Sequence, residues 1–335
     1  MSAAVIVLTW NGGDEAVACL AALAALDPAP ATVVVVDNAS ADGTPDTVAA
    51  QFPAFTLIRN ERNLGFAGGM NAGLRRLLDG PAPPEVVALL NQDTVVDPGW
   101  LGAITAPFAD PAVGAVGCKI RYPDGTIQHA GVTLDWPRAL ARHVGWHERD
   151  AGQHDAPRDA ELLTFAAVAL RAAALRRVGL LDEGYGPAYF EDLDLCARLR
   201  RAGYTLRYEP RATLVHQESS SLRDELARSA RYNYGRLRFV LKTYSPRDLR
   251  GAFAEAEAAF IRLHGHDPEG RALRWAYSET LAALPGLVAA RRELEPDLPA
   301  EAEAAMAELV RGLRRELARN FHRRAAACAD ALLVL

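Results

Sequence analysis

The chain has 335 residues, half of them hydrophobic and 24% charged, which suffices for one large α/β domain with extra helices or for two small domains. Its formal net charge of -5 lacks the basic surplus of a protein that lives on nucleic-acid affinity, which excludes DNA and RNA as principal partners.

Ala4 to Leu8 reads as a first strand and Glu15 to Leu26 as an Ala/Leu helix. Thr32 to Val36 carries a run of valines, the mark of a strand buried on both faces. Thr44-Pro45 opens a helix, with proline in the first turn. Phe55 to Ile58 is a third strand, Met70 to Leu78 a helix preceded by glycines, Val86 to Leu90 a fourth strand, and Pro98 opens the next helix. Strand and helix in alternation predict a mainly parallel sheet covered on both faces. From Ala112 to about Leu134, short strands are split by turn signals such as Pro123-Asp124-Gly125. Trp136 to Asp159 has no clear period and reads as a long loop, a class that often carries function. Helices are expected from Ala172 and after Glu191, strands at Tyr204 to Tyr208 and Ala212 to Val215, and helix throughout beyond Ser221. A boundary falls at Tyr244-Ser245-Pro246, giving a domain of residues 1–245 and a helical extension of residues 246–335.

Cys19, Cys118, Cys196 and Cys328 are too far apart in sequence for a zinc knuckle or a redox pair. Scattered cysteines suit a reducing compartment, where they act as small apolar residues. The N-terminus lacks the basic and apolar regions of a secretory signal. No stretch approaches the roughly 18 to 20 apolar residues of a membrane span; the run Leu162 to Leu170 comes nearest and ends at Arg171. The expectation is a cytoplasmic protein.

In open parallel sheets, ligands bind at the carboxyl ends of the strands. Here four successive strand ends carry polar side chains: Thr9-Trp10-Asn11, then Asp37-Asn38-Ala39-Ser40, then Arg59-Asn60 with the glycine-rich Asn63 to Gly69, then Asn91-Gln92-Asp93. Any one of them is explained by turn and cap preferences. Four in order point to a common site. Asp93 is placed to coordinate a divalent ion that bridges phosphates, or to act as a turn residue. Glu191-Asp192-Leu193-Asp194 puts three acids in a first helical turn, where the dipole favours ionised carboxylates. The same field lets such a group serve as a base. Asp194 and Arg198 at i+4 read as a surface pair. His216 follows an apolar run and is either structural or a further metal ligand. His129, His143, His147 and His154 lack the spacing of a zinc site and read as loop or acceptor-side residues.

Taken together, Thr9-Trp10-Asn11, Asp37 to Thr44, Asn63 to Asn71, Asn91-Gln92-Asp93, Gly125 to Gly131, Glu191 to Leu195, Gly203-Tyr204 and Val215-His216 resemble glycosyltransferase family 2, most closely its bacterial rhamnosyltransferase-like branch. The likeness spans roughly residues 4 to 245 of the chain. It implies an α/β GT-A fold and an inverting transfer from a nucleotide-diphosphate sugar, deoxythymidine-diphosphate-rhamnose or a uridine-diphosphate sugar, to a glycan or lipid-linked glycan. It implies that Asp37 contacts the base or ribose beside Thr9, Trp10 and Asn11. The segment holding Asn63, Gly65 and Asn71 would close over the nucleotide, with Asn91 and Gln92 nearby. Asp93 and His216 would hold a manganese or magnesium ion, Asp192 would take the acceptor proton, and Glu191 would position the acceptor. Two positions depart from the pattern: Asn91 stands where the first metal-motif acid is usual, and Phe165 where the acceptor region usually has a small residue.

Beyond residue 222, Arg231, Tyr232, Tyr234, Arg236, Arg238 and Lys242 read as a basic, aromatic helix, and Arg311, Arg314, Arg315, Arg319, Arg323 and Arg324 as a second basic stretch. These are compatible with docking on a membrane surface, with solvated faces balanced by glutamates, or with a dimerising tail. Two rival functions stand beside the transferase: a nucleotidyltransferase, against which Thr9 to Gly13 lacks the needed basic phosphate loop, and a non-catalytic binding or scaffold subunit.

Overall fold

The computed structural model describes residues 1–218, 224–264, 267–295 and 297–332, with side chains as far as Arg319. Two compact units make up the chain. The first comprises Met1–Thr133, Ala141–Pro187 and Glu191–Ser219, the second Leu134–Leu140, Ala188–Phe190 and Ser220–Leu335.

In the first unit, β1 (Ala3–Thr9), β2 (Thr32–Asp37), β3 (Thr56–Arg59) and β4 (Val86–Asn91) alternate with α1 (Gly13–Ala24), α2 (Thr44–Gln51) and α3 (Gly65–Leu78). Then come β5 (Thr94–Val96), α4 (Trp100–Thr105), β6 (Val113–Arg121), β7 (Ile127–His129), β8 (Val132–Asp135), β9 (Leu140–His143), β10 (Arg158–Asp159), β11 (Ala167–Arg171), α5 (Ala172–Val178), α6 (Glu191–Arg201) and β12 (Thr205–His216). The main sheet runs β10-β12-β6-β11-β4-β1-β2-β3. Strands β4, β1, β2 and β3 are mutually parallel, whereas β11 runs antiparallel to both β4 and β6.

Alternation along the strands divides the core. Val5, Val7, Val33, Val35, Ala88 and Leu90 pack with Cys19, Leu20 and Leu23 of α1 and with Trp100 and Ile104 of α4. Ile6, Leu8 and Val36 turn to the opposite face and meet α3. A Cβ on Gly69 would stand 2.4 Å from Leu8 Cδ1, so the bare backbone is what lets α3 lie close to β1.

Several elements differ from the sequence reading, each for a tertiary reason. The apolar run before Arg171 holds β11, a strand buried between two partners. The stretch from Trp136 to Asp159 contains β9 and β10 instead of continuous loop. The two strands expected from Tyr204 to Val215 are one strand, β12, whose register against β6 shifts between Glu209 and Thr213. Pro210 sits in that shift, where its missing N–H costs no ladder bond. Asp194 and Arg198 form a buried pair: the Arg198 Nε donates to Asp194 at 2.8 Å, and its terminal nitrogens bond the carbonyls of Val178 and Leu180.

The second unit carries α7 (Glu225–Thr243), the short turn α8 (Pro246–Asp248), α9 (Ala254–His264), α10 (Pro268–Ala282), α11 (Leu284–Leu294) and α12 (Ala300–Leu332). The expected boundary at 245 falls between α7 and α8, and α7 groups with the later helices. Glu257 is buried and accepts from Arg236, Arg138 and the Tyr277 hydroxyl, so its charge is paired inside this unit. Arg236, Arg238 and Lys242 are all buried, which removes three cations from the basic face expected for α7. Arg311, Arg314, Arg315 and Arg319 are exposed; Arg323, Arg324 and Cys328 lie outside the described side chains. Among the described residues, no helix is long and apolar enough to cross a membrane.

Candidate active site

The strand registers place the polar strand ends along one sheet edge. Thr9 lies opposite Asp37, Leu8 opposite Asn91, and Leu90 opposite Ala167. At the β1–β2 end, Asp37 is buried and ordered. It accepts from the Ser40 backbone N–H at 3.0 Å, the Ser40 hydroxyl at 2.5 Å and the Thr9 hydroxyl at 3.3 Å. The Ser40 hydroxyl oxygen takes the Asn11 N–H at 2.8 Å, and Asn11 Oδ1 takes the Ala41 N–H at 2.8 Å. Asn11 and Ala39 both have positive φ, 49° and 63°. These mutual bonds hold the two turns in that sparsely populated conformation. Trp10 is exposed beside them, and both its backbone polar groups bond Gln92: its N–H donates to Oε1 at 2.8 Å and its carbonyl accepts from Nε2 at 3.2 Å. Gln92 thereby fixes Trp10.

The glycine-rich segment is not a closing loop. Gly65, at φ 71°, opens α3, and Asn63 Oδ1 accepts the Gly65 N–H at 2.8 Å. Gly65 also lies so close to the Pro187 backbone that a Cβ would stand 2.8 Å from its carbonyl oxygen. Asn38 is the hub of this corner. Its Nδ2 donates to Asn63 Oδ1 and the Gly65 carbonyl, and its Oδ1 accepts from Asn60 and the Leu64 N–H. Asn71 is buried inside the unit. It donates to the Leu181 carbonyl and to Glu183, and accepts the Leu181 N–H at 3.1 Å. Its amide is spent on the fold and tethers residues 181–183 to α3.

Asp93 and His216 come together from adjacent strand ends. His216 lies opposite Thr94 in the β5–β12 register, and its Nε2 stands 3.0 Å from Asp93 Oδ1. Its Nδ1 faces Gln128 Oε1 at 2.7 Å, while Gln128 Nε2 donates to Glu218 at 3.1 Å. The imidazole therefore faces an oxygen acceptor on both sides. A neutral ring carries one N–H; with it directed to Gln128, the Nε2 lone pair and the Asp93 carboxylate face each other as two potential ligands. One carboxylate and one imidazole suit a divalent cation of the manganese type, and a hydrogen bond at Nδ1 that frees Nε2 is the usual support of such a ligand. Among the described residues, no group of three or more such ligands occurs.

Asp192 is part-buried in the first turn of α6. Burial pushes its carboxyl up from 3.8 to about 6, against the pull of the N–H groups of Leu193, Phe165 and its own backbone. The contact with Phe165 locates it: Ala166 gives its carbonyl to the Asn91 N–H at 2.9 Å, and Ala167 begins β11. The chain at 165–166 thus touches the strand end at Asn91 on one side and Asp192 on the other. Glu191, buried, precedes Asp192 at the helix start. Tyr189 and Phe190, the two residues before it, hold positive φ of 87° and 75°. Asn38, Gln128 and the Phe165 N–H were not among the expected site residues; the first two lie inside quoted motifs, and the third is a backbone group with no signal in the sequence.

A parallel sheet whose carboxyl edge gathers Asp37, an Asp–His pair and a carboxyl of raised proton affinity is the frame of a sugar-nucleotide-dependent transferase of the GT-A fold. The family model for "Glycosyl transferase family 2" matches residues 4–171, half of the chain. The chain belongs to glycosyl transferase family 2. An uncharacterized protein of Sinorhizobium fredii is 32% identical over 200 residues, 56% of this chain and 21% of that protein. The N-acetylglucosaminyl-diphospho-decaprenol L-rhamnosyltransferase of Mycobacterium tuberculosis is 29% identical over 238 residues, covering 65% of this chain and 76% of that enzyme. In structure, a mannosyltransferase of Pyrobaculum calidifontis, solved with GDP-Man and Mn2+, superposes with a TM-score of 0.53 at 22% identity, over 95% of this chain and 86% of that one. At that identity the likeness speaks for the fold.

Proposed function

We propose that the chain is an inverting glycosyltransferase that moves a sugar from a nucleotide diphosphate to a hydroxyl of a glycan or lipid-linked glycan. The observation that carries the reading is the placement of the Asp192 carboxyl, through the Phe165 N–H, on the edge that also holds Asn91 and the Asp93–His216 pair. A base with a pKa of about 6 is about 90% ionised at pH 7 and a stronger proton acceptor than an ordinary aspartate. Asp192 takes the acceptor hydroxyl proton as that oxygen bonds to the anomeric carbon. The bond from that carbon to the diphosphate breaks in line, and its electron pair leaves with the diphosphate.

Asp93 and His216 Nε2 would hold a divalent cation, manganese or magnesium, that offsets the leaving group's charge. Thr9, Trp10, Asn11 and Asp37 border the nucleoside, with Trp10 presented by Gln92. Asn63 and Gly65 shape the start of α3 beside them, and Asn71 acts from inside as a positioning residue. Glu191 supports Asp192 and the acceptor. The name of the mycobacterial relative favours a rhamnose donor and a lipid-linked diphosphate acceptor. A thermal-shift screen of deoxythymidine-, uridine- and guanosine-diphosphate sugars, with and without manganese, tests this. One donor should stabilise the chain selectively, and more strongly with metal. Uniform indifference to all of them would overturn the reading.

A further inference from the structure

The first unit holds an aromatic cluster that neither the donor edge nor the base accounts for. His147 stacks on Tyr122, with ring centroids 5.0 Å apart and 12° between planes, and Trp146 packs 4.6 Å from His147. The Trp146 Nε1 donates to the Tyr122 hydroxyl at 2.9 Å, so the indole's polar atom is satisfied within the cluster. Trp146 is nevertheless 61% exposed. What it offers to solvent is a carbon surface held in a fixed orientation.

The turn beneath is built. His147 has φ 60°, and its N–H donates to the Ile127 carbonyl at 2.8 Å, while the Ile127 N–H donates to the Glu148 carbonyl at 2.8 Å. The Tyr122 hydroxyl also bonds Glu218 and Gln128. Gln128 in turn contacts His216, which contacts Asp93. The cluster is therefore tied by hydrogen bonds to the Asp–His pair.

We propose that Tyr122, Trp146 and His147 form a platform for a pyranose ring of the acceptor glycan, a proposal that rests on the transferase reading above. The electron-rich face of an aromatic ring attracts the electron-poor C–H groups of a sugar's flat side, and polar groups at the rim read the hydroxyls. The rim here includes the carboxylate of Glu218, which bonds the Tyr122 hydroxyl. It accepts from hydroxyls and repels phosphate, which selects a neutral sugar over a nucleotide.

The test is saturation-transfer NMR on the full chain with methyl pyranosides of N-acetylglucosamine, glucose, mannose and rhamnose, alongside the donor-induced thermal shift. The intact chain should show transfer to at least one pyranoside. Trp146→Ala should reduce it at least fivefold, Trp146→Phe should retain most of it, and both variants should keep the donor shift. No transfer to any pyranoside, or undiminished transfer in Trp146→Ala, would overturn the platform. Failure of every donor to shift any variant would instead count against the transferase reading, leaving the platform to be judged on pyranoside binding alone.

Discussion

Replacing Asp192 by asparagine should make the protein more stable and far less active. The rise of its carboxyl from 3.8 to about 6 means that the folded state disfavours the ionised form by about 3 kcal/mol. The sign follows from proton binding. Below pH 3.8 the group is neutral in both folded and unfolded chains and carries no penalty. As pH rises through the window from 3.8 to about 6, the unfolded chain ionises first and the native state loses stability; above about 6 the full penalty stands. Asparagine never ionises, so Asp192→Asn should be about 0.5 kcal/mol less stable than the native chain near pH 4 and exceed it by about 2 kcal/mol at pH 7.5. That figure allows about 1 kcal/mol for weaker bonds to the N–H groups of Phe165 and Leu193. Denaturant melts of both proteins from pH 4.5 to 8 would display the divergence. Transfer by the native chain should rise with pH through about 6, and the variant should lose about 10²- to 10⁴-fold in kcat. A variant that is no more stable at pH 7.5 than at pH 4.5 relative to the native chain would refute the assignment of burial as the cause. Retained transfer would refute the base.

Other substitutions probe the remaining contacts. Asp93→Asn or His216→Ala should abolish any metal-dependent part of the donor-induced thermal shift, and Gln128→Leu should weaken apparent metal affinity about 10- to 100-fold, read by titrating manganese. Asn71→Ala strands the buried N–H and carbonyl of Leu181 and should cost about 2–4 kcal/mol in urea unfolding. Arg198→Met leaves the Asp194 charge buried without its guanidinium and should cost about 3–5 kcal/mol by the same measurement.

What was legible in the sequence follows the physics of each contact. The strand ends were readable because a parallel strand buried on both faces must be apolar and then stop, so Thr9, Asp37 and Asn91 announce themselves by position. Strand β11 was not, because Leu162 to Leu170 is apolar at every position but Thr164, and periodicity cannot separate a buried strand from a buried helix. The start of α3 was misjudged for a similar reason. Glycines at 65, 68 and 69 look like a loop, yet Gly69 is there so that α3 can approach Leu8, a requirement invisible without the partner strand. Asp194 and Arg198 have the spacing of a surface pair, and only the carbonyls of Val178 and Leu180 reveal why the arginine is buried.

The two sides of the reaction therefore differ in how far sequence can reach. The donor side proposed here draws on residues that end consecutive strands, and local pattern finds them. The acceptor side proposed here draws on unlike pieces: the Phe165 N–H, a helix start at Glu191, and rings at Tyr122, Trp146 and His147 brought together by a turn paired to Ile127. Phe165 shows the difference plainly. As a letter it is an oversized residue in a place that usually has a small one. In the fold its ring is buried and its backbone N–H touches Asp192, so the position's contribution to the base comes from a group that every residue but proline possesses. A substitution to alanine at 165 should accordingly preserve that bond while opening a cavity behind it, which costs stability before it costs the base its partner.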